Sequence, residues 1–348
     1  MFAQVIESPA PAESQPLRQR ALPRPVPGPG ELLIRVRACG VCRTDLHVAE
    51  GDLPPHKRPV VPGHQIVGIV EAFGAVPPPA SAAPGGAHPA PQAQIALGER
   101  VGVAWLHRTD GACRFCRGGR ENLCEHPLFT GWDVDGGFAE YVVAPAAFIY
   151  PLPPGFSDEQ AAPLLCAGII GYRSLRLAGV ERGGRLGLYG FGSAAHVIIQ
   201  VAVARGLEVY VCTRDAPHRA LAEELGARWA GNTFDRPPAL LDAAIIFAPA
   251  GEIVPAALKA VDRGGRVVCA GIHMSPIPSF SYDDLYWERQ ILSVANNTRE
   301  DGRAFLAEAA RAPVRSRVQT FPLAAAGEAL LALKHDQIQG GSAVLLAP

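Results

Sequence analysis

The sequence predicts an α/β protein of two lobes, one an antiparallel, barrel-like sheet and the other a doubly wound parallel sheet. Three observations predict it. The chain has 348 residues, more than one hydrophobic core usually supports. Before about residue 150, short alternating runs broken by Gly and Pro, such as ELLIRVRACGVC, HQIVGIVEAFG and GGFAEYVVAP, have the period of half-buried strands. From about residue 157, RLGLYGFG, HVIIQVAVARG, EVYVCTRD and RALAEELGA alternate strand with helix, and strands joined by helices pair in parallel.

Taken in order, residues 31–42 and 64–74 carry the strand-like runs of the first lobe. Residues 77–94, PPPASAAPGGAHPAPQAQ, are too rich in Pro, Ala and Gly for a packed element and read as a mobile surface loop. SDEQAAPLLCAGIIGYRSLRLAG, residues 157–179, reads as helix. AAIIFAPA and RVVCAGIH continue the buried strands of the second lobe. A helix, EDGRAFLAEAARA, then strand-like QTFPL and SAVLLAP end the chain and rejoin the first lobe. The lobes are therefore expected at 1–156 with 291–348, and at 157–290.

Composition narrows the function. With 48% hydrophobic residues, 19% charged residues and a net charge of -1, the chain lacks the basic excess that phosphate backbones demand. A nucleic-acid partner is not expected. The start, MFAQVIESPAPAESQ, has no cationic opening or apolar core, and no run reaches the roughly 18–20 apolar residues of a membrane span; a cytoplasmic protein is expected. Eight cysteines in a reducing compartment point to metal or catalytic work before disulfides. Cys113, Cys116 and Cys124 crowd together, while Cys39, Cys212 and Cys269 sit in apolar, strand-like sequence and read as plain buried thiols.

Gly190-Phe191-Gly192-Ser193-Ala194-Ala195 has the G-x-G-x-x-A spacing of a dinucleotide-binding turn. The first two glycines let the backbone turn and approach a pyrophosphate at a helix N-terminus, and the small Ala195 permits close packing of helix on strand. A purely structural turn is the alternative. The next strand ends Cys212-Thr213-Arg214-Asp215. An acidic group there grips the ribose 2′-hydroxyl of NAD, whereas an Arg suits the 2′-phosphate of NADP; Thr213 and Arg214 favour NADP slightly, and Asp215 keeps NAD open.

Gly40-Val41-Cys42-Arg43-Thr44-Asp45-Leu46-His47, Pro62-Gly63-His64-Gln65 and Pro163-Leu164-Leu165-Cys166-Ala167-Gly168 resemble, in order, the three catalytic zinc segments of the zinc-dependent medium-chain alcohol dehydrogenases, closest to a bacterial branch. The resemblance spans essentially the whole chain. It implies a GroES-like catalytic domain and a Rossmann domain, with Cys42, His64 and Cys166 holding a catalytic zinc whose fourth position stays open to substrate. Scattered buried Cys and His are the alternative. The resemblance further implies that Thr44 bonds the substrate oxygen and relays its proton through the cofactor ribose to a solvent-facing His47. By the same resemblance Asp45 sets the tautomer of His64 and Arg43 meets the pyrophosphate. Turn capping by Asp45 and a solvated Arg43 are the bland readings.

Asp110-Gly111-Ala112-Cys113-Arg114-Phe115-Cys116 through Cys124 resembles the family's structural zinc lobe, with Asp110 where relatives carry the first cysteine. A carboxylate is an acceptable zinc ligand at about 2.0–2.2 Å, so Asp110, Cys113, Cys116 and Cys124 would hold a second zinc; the rival is a vacant lobe with three free thiols. Gln65 stands where relatives carry Glu, leaving the metal without a negative charge behind it. Ala-Gly-Ile-Ile-Gly follows Cys166 where relatives often carry Thr, and Ser342 stands where many carry Arg, shifting cofactor affinity toward Arg43, Arg214 and the amides after Gly190. Trp105 resembles a pocket wall of small-alcohol enzymes, or is a core tryptophan. The implied activity is hydride transfer between small primary alcohols or aldehydes, with secondary or aromatic ones also open, and NAD(P)(H), in a homodimer or homotetramer. A zinc-free quinone or enone reductase of the same fold, and a non-catalytic zinc- and nucleotide-binding protein, are the alternatives.

Overall fold

The computed structural model describes residues 1–54, 56–75, 95–312, 314–338 and 341–348. The loop expected at 77–94 lies outside the described residues. The chain forms two compact units: unit one comprises 1–166, 297–303 and 316–348, and unit two comprises 167–296 and 304–315.

The strands of unit one are β1 (Phe2–Ile6), β2 (Leu17–Ala21), β3 (Glu31–Val41), β4 (Gln65–Phe73), β5 (Arg100–Val103), β6 (Leu106–Arg108), β7 (Leu128–Phe129), β8 (Tyr141–Pro145) and β9 (Ile149–Pro151). Those of unit two are β10 (Arg185–Tyr189), β11 (Glu208–Cys212), β12 (Trp229–Gly231), β13 (Leu241–Ile246), β14 (Val261–Cys269) and β15 (Gln290–Ser293). Unit one ends with β16 (Val318–Pro322) and β17 (Ser342–Leu346). Its main sheet has seven strands in the order β16-β17-β3-β4-β5-β9, with β8 also on β3. β3 is central: it pairs antiparallel with β4 along most of its length, with β8 near its start and with β17 near its end. Strict alternation of burial therefore fails at Ala38–Val41, all buried, because both faces of that end are covered. The apolar residues of β1, β3, β4 and β8 form one core with Leu323, Ala326 and Leu330.

Unit two is a six-stranded, all-parallel sheet in the order β12-β11-β10-β13-β14-β15. The chain runs outward from β10 through β11 to β12, then returns to the other side of β10 at β13. That reversal is a topological switch point, and in open α/β sheets ligands bind outside the strand ends at such a point. Buried Val, Ile, Leu and Ala line both faces, as expected of a sheet covered twice.

Two sequence expectations need correction. The lobe boundary at 156/157 moves to 166/167, and 291–296 and 304–315 group with unit two. The reason is in the 157–179 segment, which is not one helix. It breaks into Asp158–Ala161, a 3-10 turn at Ala162–Leu165, and a helix at Ala167–Ala178. Pro163 removes a helical donor, and Cys166 takes φ -133° and ψ -70°, outside the helical region, so Cys166 sits at a break between pieces. Among the described residues no helix is long and apolar enough to cross a membrane. Cys39 and Cys212 are buried, while Cys269 is half-buried.

Candidate active site and metal centres

Sheet register explains how Cys42 and His64 meet. Gly40 on β3 faces Gln65 on β4, so the residues just beyond each strand end emerge side by side. Gly63, at φ +98°, turns the chain into β4, and a Cβ there would lie 2.4 Å from the Phe138 ring; only glycine fits. The break after Leu165 brings in the third side chain. Cys42 Sγ and Cys166 Sγ each lie 3.4 Å from His64 Nε2, and the three ligand atoms all lie within 4.8 Å of one another. Around a tetrahedral zinc with bonds of about 2.3 Å to sulfur and 2.0–2.1 Å to nitrogen, S and N would sit about 3.5 Å apart. The donor set fits zinc in chemistry and in spacing.

The electrostatics also favour a cation. Burial opposes a charged imidazole at His64, but the Asp45 carboxylate and the Cys42 sulfur outweigh it and raise its pKa to about 10. The Cys42 thiol is pushed up, first by the Cys166 sulfur beside it and then by burial. Two adjacent thiolates need a positive charge between them.

Asp45, 1% exposed, ties this pocket together. Its Oδ2 accepts the Cys42 N–H at 2.9 Å, its Oδ1 accepts the Gly63 N–H at 3.1 Å, and Oδ1 lies 3.2 Å from His64 Nδ1. Asp45 is thus a turn cap whose carboxylate also lies against the His64 ring. Gln65 is likewise 1% exposed, with an Nε2 that has no hydrogen-bond partner among the described residues.

Helix α1 (Arg43–Glu50) starts at Cys42 and carries Arg43, Thr44 and His47. Thr44 is half-buried in its first turn. His47 was expected to face solvent, but its side chain is only 14% exposed and its Nδ1 lies 2.9 Å from Asp52 Oδ2. Asp52 was missed by the sequence reading. Its signal is Gly51, which closes α1 in a left-handed conformation and turns the next residue back toward the helix. Arg43 is exposed and pairs with Asp336 at 2.6 Å, a partner nearly three hundred residues away that no local pattern shows.

In the second cluster, one ligand atom from each of Asp110, Cys113, Cys116 and Cys124 lies within 4.8 Å of the others. Asp110 Oδ1 accepts the N–H groups of Ala112 and Cys113 at 2.8 and 3.0 Å, which hold its carboxyl below the usual carboxylate range. The backbone N–H groups of Asp110 and His126 both point at Cys124 Sγ, at 3.4 Å each. Carboxylate, thiols and inward N–H groups suit a bound cation. Beside this cluster, Glu121 receives a bidentate pair from Arg299, at 2.6 and 3.0 Å, and the Arg299 guanidinium stacks on Phe148 at 4.4 Å.

In unit two, Gly190 ends β10 at φ +83° and donates its N–H to Cys212 O at 2.8 Å. A Cβ at Gly192 would meet nothing within 4 Å, so this backbone lies open to a ligand. Helix α2 (Ser193–Ala204) starts there without a side-chain cap, leaving N–H groups for an anion. Phe191 and Ala195 are buried, while Ser193 and Ala194 are half-buried. Thr213 is buried. The Arg214 side chain is 70% exposed and lies 3.5 Å from Asp215, which also faces His218 at 3.5 Å. Arg219, which the sequence reading did not single out, donates to the carbonyls of Thr213 and Arg214 at 2.9 and 2.7 Å and sets the shape of this turn.

Comparison with known proteins agrees with both halves of this picture. Residues 28–154 match the alcohol dehydrogenase GroES-like domain family, and residues 194–311 match the zinc-binding dehydrogenase family. The chain is 50% identical over 348 residues to "Probable alcohol dehydrogenase AdhA" of Mycobacterium tuberculosis, covering 99% of this chain and 97% of that one. It is 34% identical over 335 residues to an alcohol dehydrogenase of Geobacillus stearothermophilus, covering 94% and 95%. A solved cinnamyl alcohol dehydrogenase of Sorghum bicolor superposes with a TM-score of 0.85 at 25% identity, over 99% of this chain and 96% of the other. Carried by its two domains, its ordered Cys42, His64 and Cys166 segments and its full-length relatives, the chain belongs to the zinc-dependent medium-chain alcohol dehydrogenase family.

Proposed function

We propose that the protein is a zinc-dependent alcohol dehydrogenase and aldehyde reductase that passes a hydride between a small primary alcohol or aldehyde and NAD(P), with NADP slightly favoured. The observation that carries this reading is the donor set of Cys42, His64 and Cys166 with Asp45 behind it. Three protein ligands suit a catalytic zinc, because a fourth would close the site to substrate. Zinc held there supplies a Lewis acid that draws electron density from a substrate oxygen and makes its proton easier to lose. The nicotinamide supplies the hydride acceptor or donor.

The remaining work falls to the chain. Asp45 holds the ring orientation of His64, as outer-shell carboxylates do. The Thr44 hydroxyl both donates and accepts, so it can take the proton of the alcohol while passing its own onward. His47, oriented by Asp52, is the terminal acceptor of that relay. The neutral Gln65 adds no charge behind the metal and leaves the site electrophilic. Asp110, Cys113, Cys116 and Cys124 hold a second, structural zinc. On the cofactor, the backbone amides after Gly190 take the pyrophosphate, and Thr213 and Arg214 take the adenosine ribose. A cytoplasmic homodimer or homotetramer accords with the family resemblance.

The test is elemental zinc per chain on purified protein, with NADH and NADPH oxidation measured on a panel of aldehydes. About two zinc per chain with turnover is expected from the two clusters. No rate with any alcohol or aldehyde, with metal and cofactor bound, would falsify the reading. Cofactor choice has its own test. Arg214→Ala should weaken NADPH by about tenfold, on the scale of one lost charge-assisted hydrogen bond, and NADH much less; equal losses by fluorescence titration would discard the assignment.

A further inference from the structure

Unit one holds a cavity of about 540 Å³ whose lining shares no residue with the Cys42, His64 and Cys166 cluster. That volume lies within the roughly 300–1,000 Å³ range of small-molecule sites. Phe2 on β1, Phe321 and Pro322 on β16, Leu323 just after it and Leu346 on β17 give the cavity apolar walls. The last two strands reach it together, because β16 and β17 pair in parallel with Pro322 beside Leu346.

One wall is polar. Gln4 and Gln19 stand opposite each other in the β1–β2 ladder, and both line the cavity. Gln4 is only 4% exposed, yet its side-chain amide makes no hydrogen bond to any described residue. The backbone beneath it is fixed: the Gln4 N–H donates to Phe138 O at 2.8 Å, and the Phe2 N–H donates to Glu140 Oε2 at 2.7 Å. A buried amide that bonds nothing in the protein costs the fold stability, and most such groups have a partner. Among the described residues, Glu140 is the only charged side chain in the lining, so the cavity offers no cationic partner to an anion.

We propose that this cavity is a binding site, separate from the metal site, for an uncharged and mostly apolar small molecule that carries one hydroxyl group, with the Gln4 amide as its polar anchor. A hydroxyl donates and accepts, and so does a primary amide, so a single contact at Gln4 satisfies both partners. The apolar body of the ligand displaces water from the Phe2, Phe321 and Leu346 side chains, a gain proportional to the area covered. A carboxylate or sulfonate in place of the hydroxyl would face Glu140, and like charges repel. The site stands whether or not the chain turns over alcohols, since it uses none of the metal ligands.

The test is calorimetric titration of the zinc-loaded protein with β-naphthol, whose hydroxyl-bearing carbon has no hydrogen to give up as hydride, so binding is read without turnover. Wild type is expected to bind it, and Gln4→Leu to bind it about fivefold more weakly, on the scale of one neutral hydrogen bond. Ala324→Trp, at an exposed position in the lining, should fill the cavity and abolish binding. Cys166→Ala should bind as wild type does, and β-naphthalenesulfonate should bind wild type far more weakly than the naphthol. Thermal melts check each variant; if Gln4→Leu does not fold, Gln4→Asn, which withdraws the amide by one methylene, is expected to show the same loss. No heat of binding up to the solubility limit of β-naphthol overturns the proposal. So does an affinity that either cavity variant leaves unchanged, binding that is lost in Cys166→Ala, or a sulfonate that binds as tightly as the naphthol.

Discussion

Replacing Cys166 by alanine is expected to lower alcohol turnover by at least about a thousandfold while the fold survives. Cys166 Sγ lies 3.4 Å from His64 Nε2, within the distance two ligands of one zinc would keep. Without it, a metal would have two protein ligands, Cys42 and His64, and zinc should fall by one per chain. The Lewis acid is worth several kcal/mol of transition-state stabilisation, and about 1.4 kcal/mol corresponds to each tenfold in rate. Stability should change little, because Leu164, Leu165 and Ala167 carry the packing on either side of it. Turnover, zinc analysis and circular dichroism on the one variant decide this; retained activity would remove Cys166 from the site.

Asp110→Ala is expected to leave the protein with one zinc fewer and a Tm lower by roughly 5–10 °C. The change removes a carboxylate from a cluster where the other three side chains are cysteines, and it strands the Ala112 and Cys113 N–H groups that Asp110 caps. Structural zinc contributes folding energy directly. A loss of about 3 kcal/mol corresponds to such a shift in a domain of this size. Two further variants separate ligand from cap. Asp110→Asn keeps an acceptor for both N–H groups but offers a poorer ligand, so zinc should still be lost; Asp110→Cys should retain it. An unchanged metal content in both Asp110→Ala and Asp110→Asn would show that Asp110 holds no zinc.

How much of this was legible in the sequence depended on distance along the chain. The Asp110 to Cys124 cluster closes within one short segment, and a short segment with turn-forming glycines brings its side chains together without help from the rest of the fold. Gly190-Phe191-Gly192 was equally legible, because the chemistry of that turn is backbone conformation and the absence of side chains. The alternating texture before about residue 150 and the strand–helix alternation after 157 identified the two kinds of sheet. The boundary between them was not legible, since Pro163 and the dihedral angles of Cys166 break what periodicity alone reads as a continuous helix.

By itself, then, the sequence determined the two-lobed α/β class, the resemblance that orders Cys42, His64 and Cys166, and the glycine turn at Gly190 and Gly192, because each is written in local spacing and residue type. Only the tertiary structure decided that Asp45 lies beside His64 while accepting the Cys42 and Gly63 N–H groups, that Asp52 pairs with His47, that Asp336 pairs with Arg43, and that Trp105, Phe129 and Trp132 line up beyond His64. Those pairings join segments far apart in the sequence: α1 and the turn after it, the loop at Asp336, and the segments around 105 and 129–132. Packing of the whole unit, rather than any local motif, selects them.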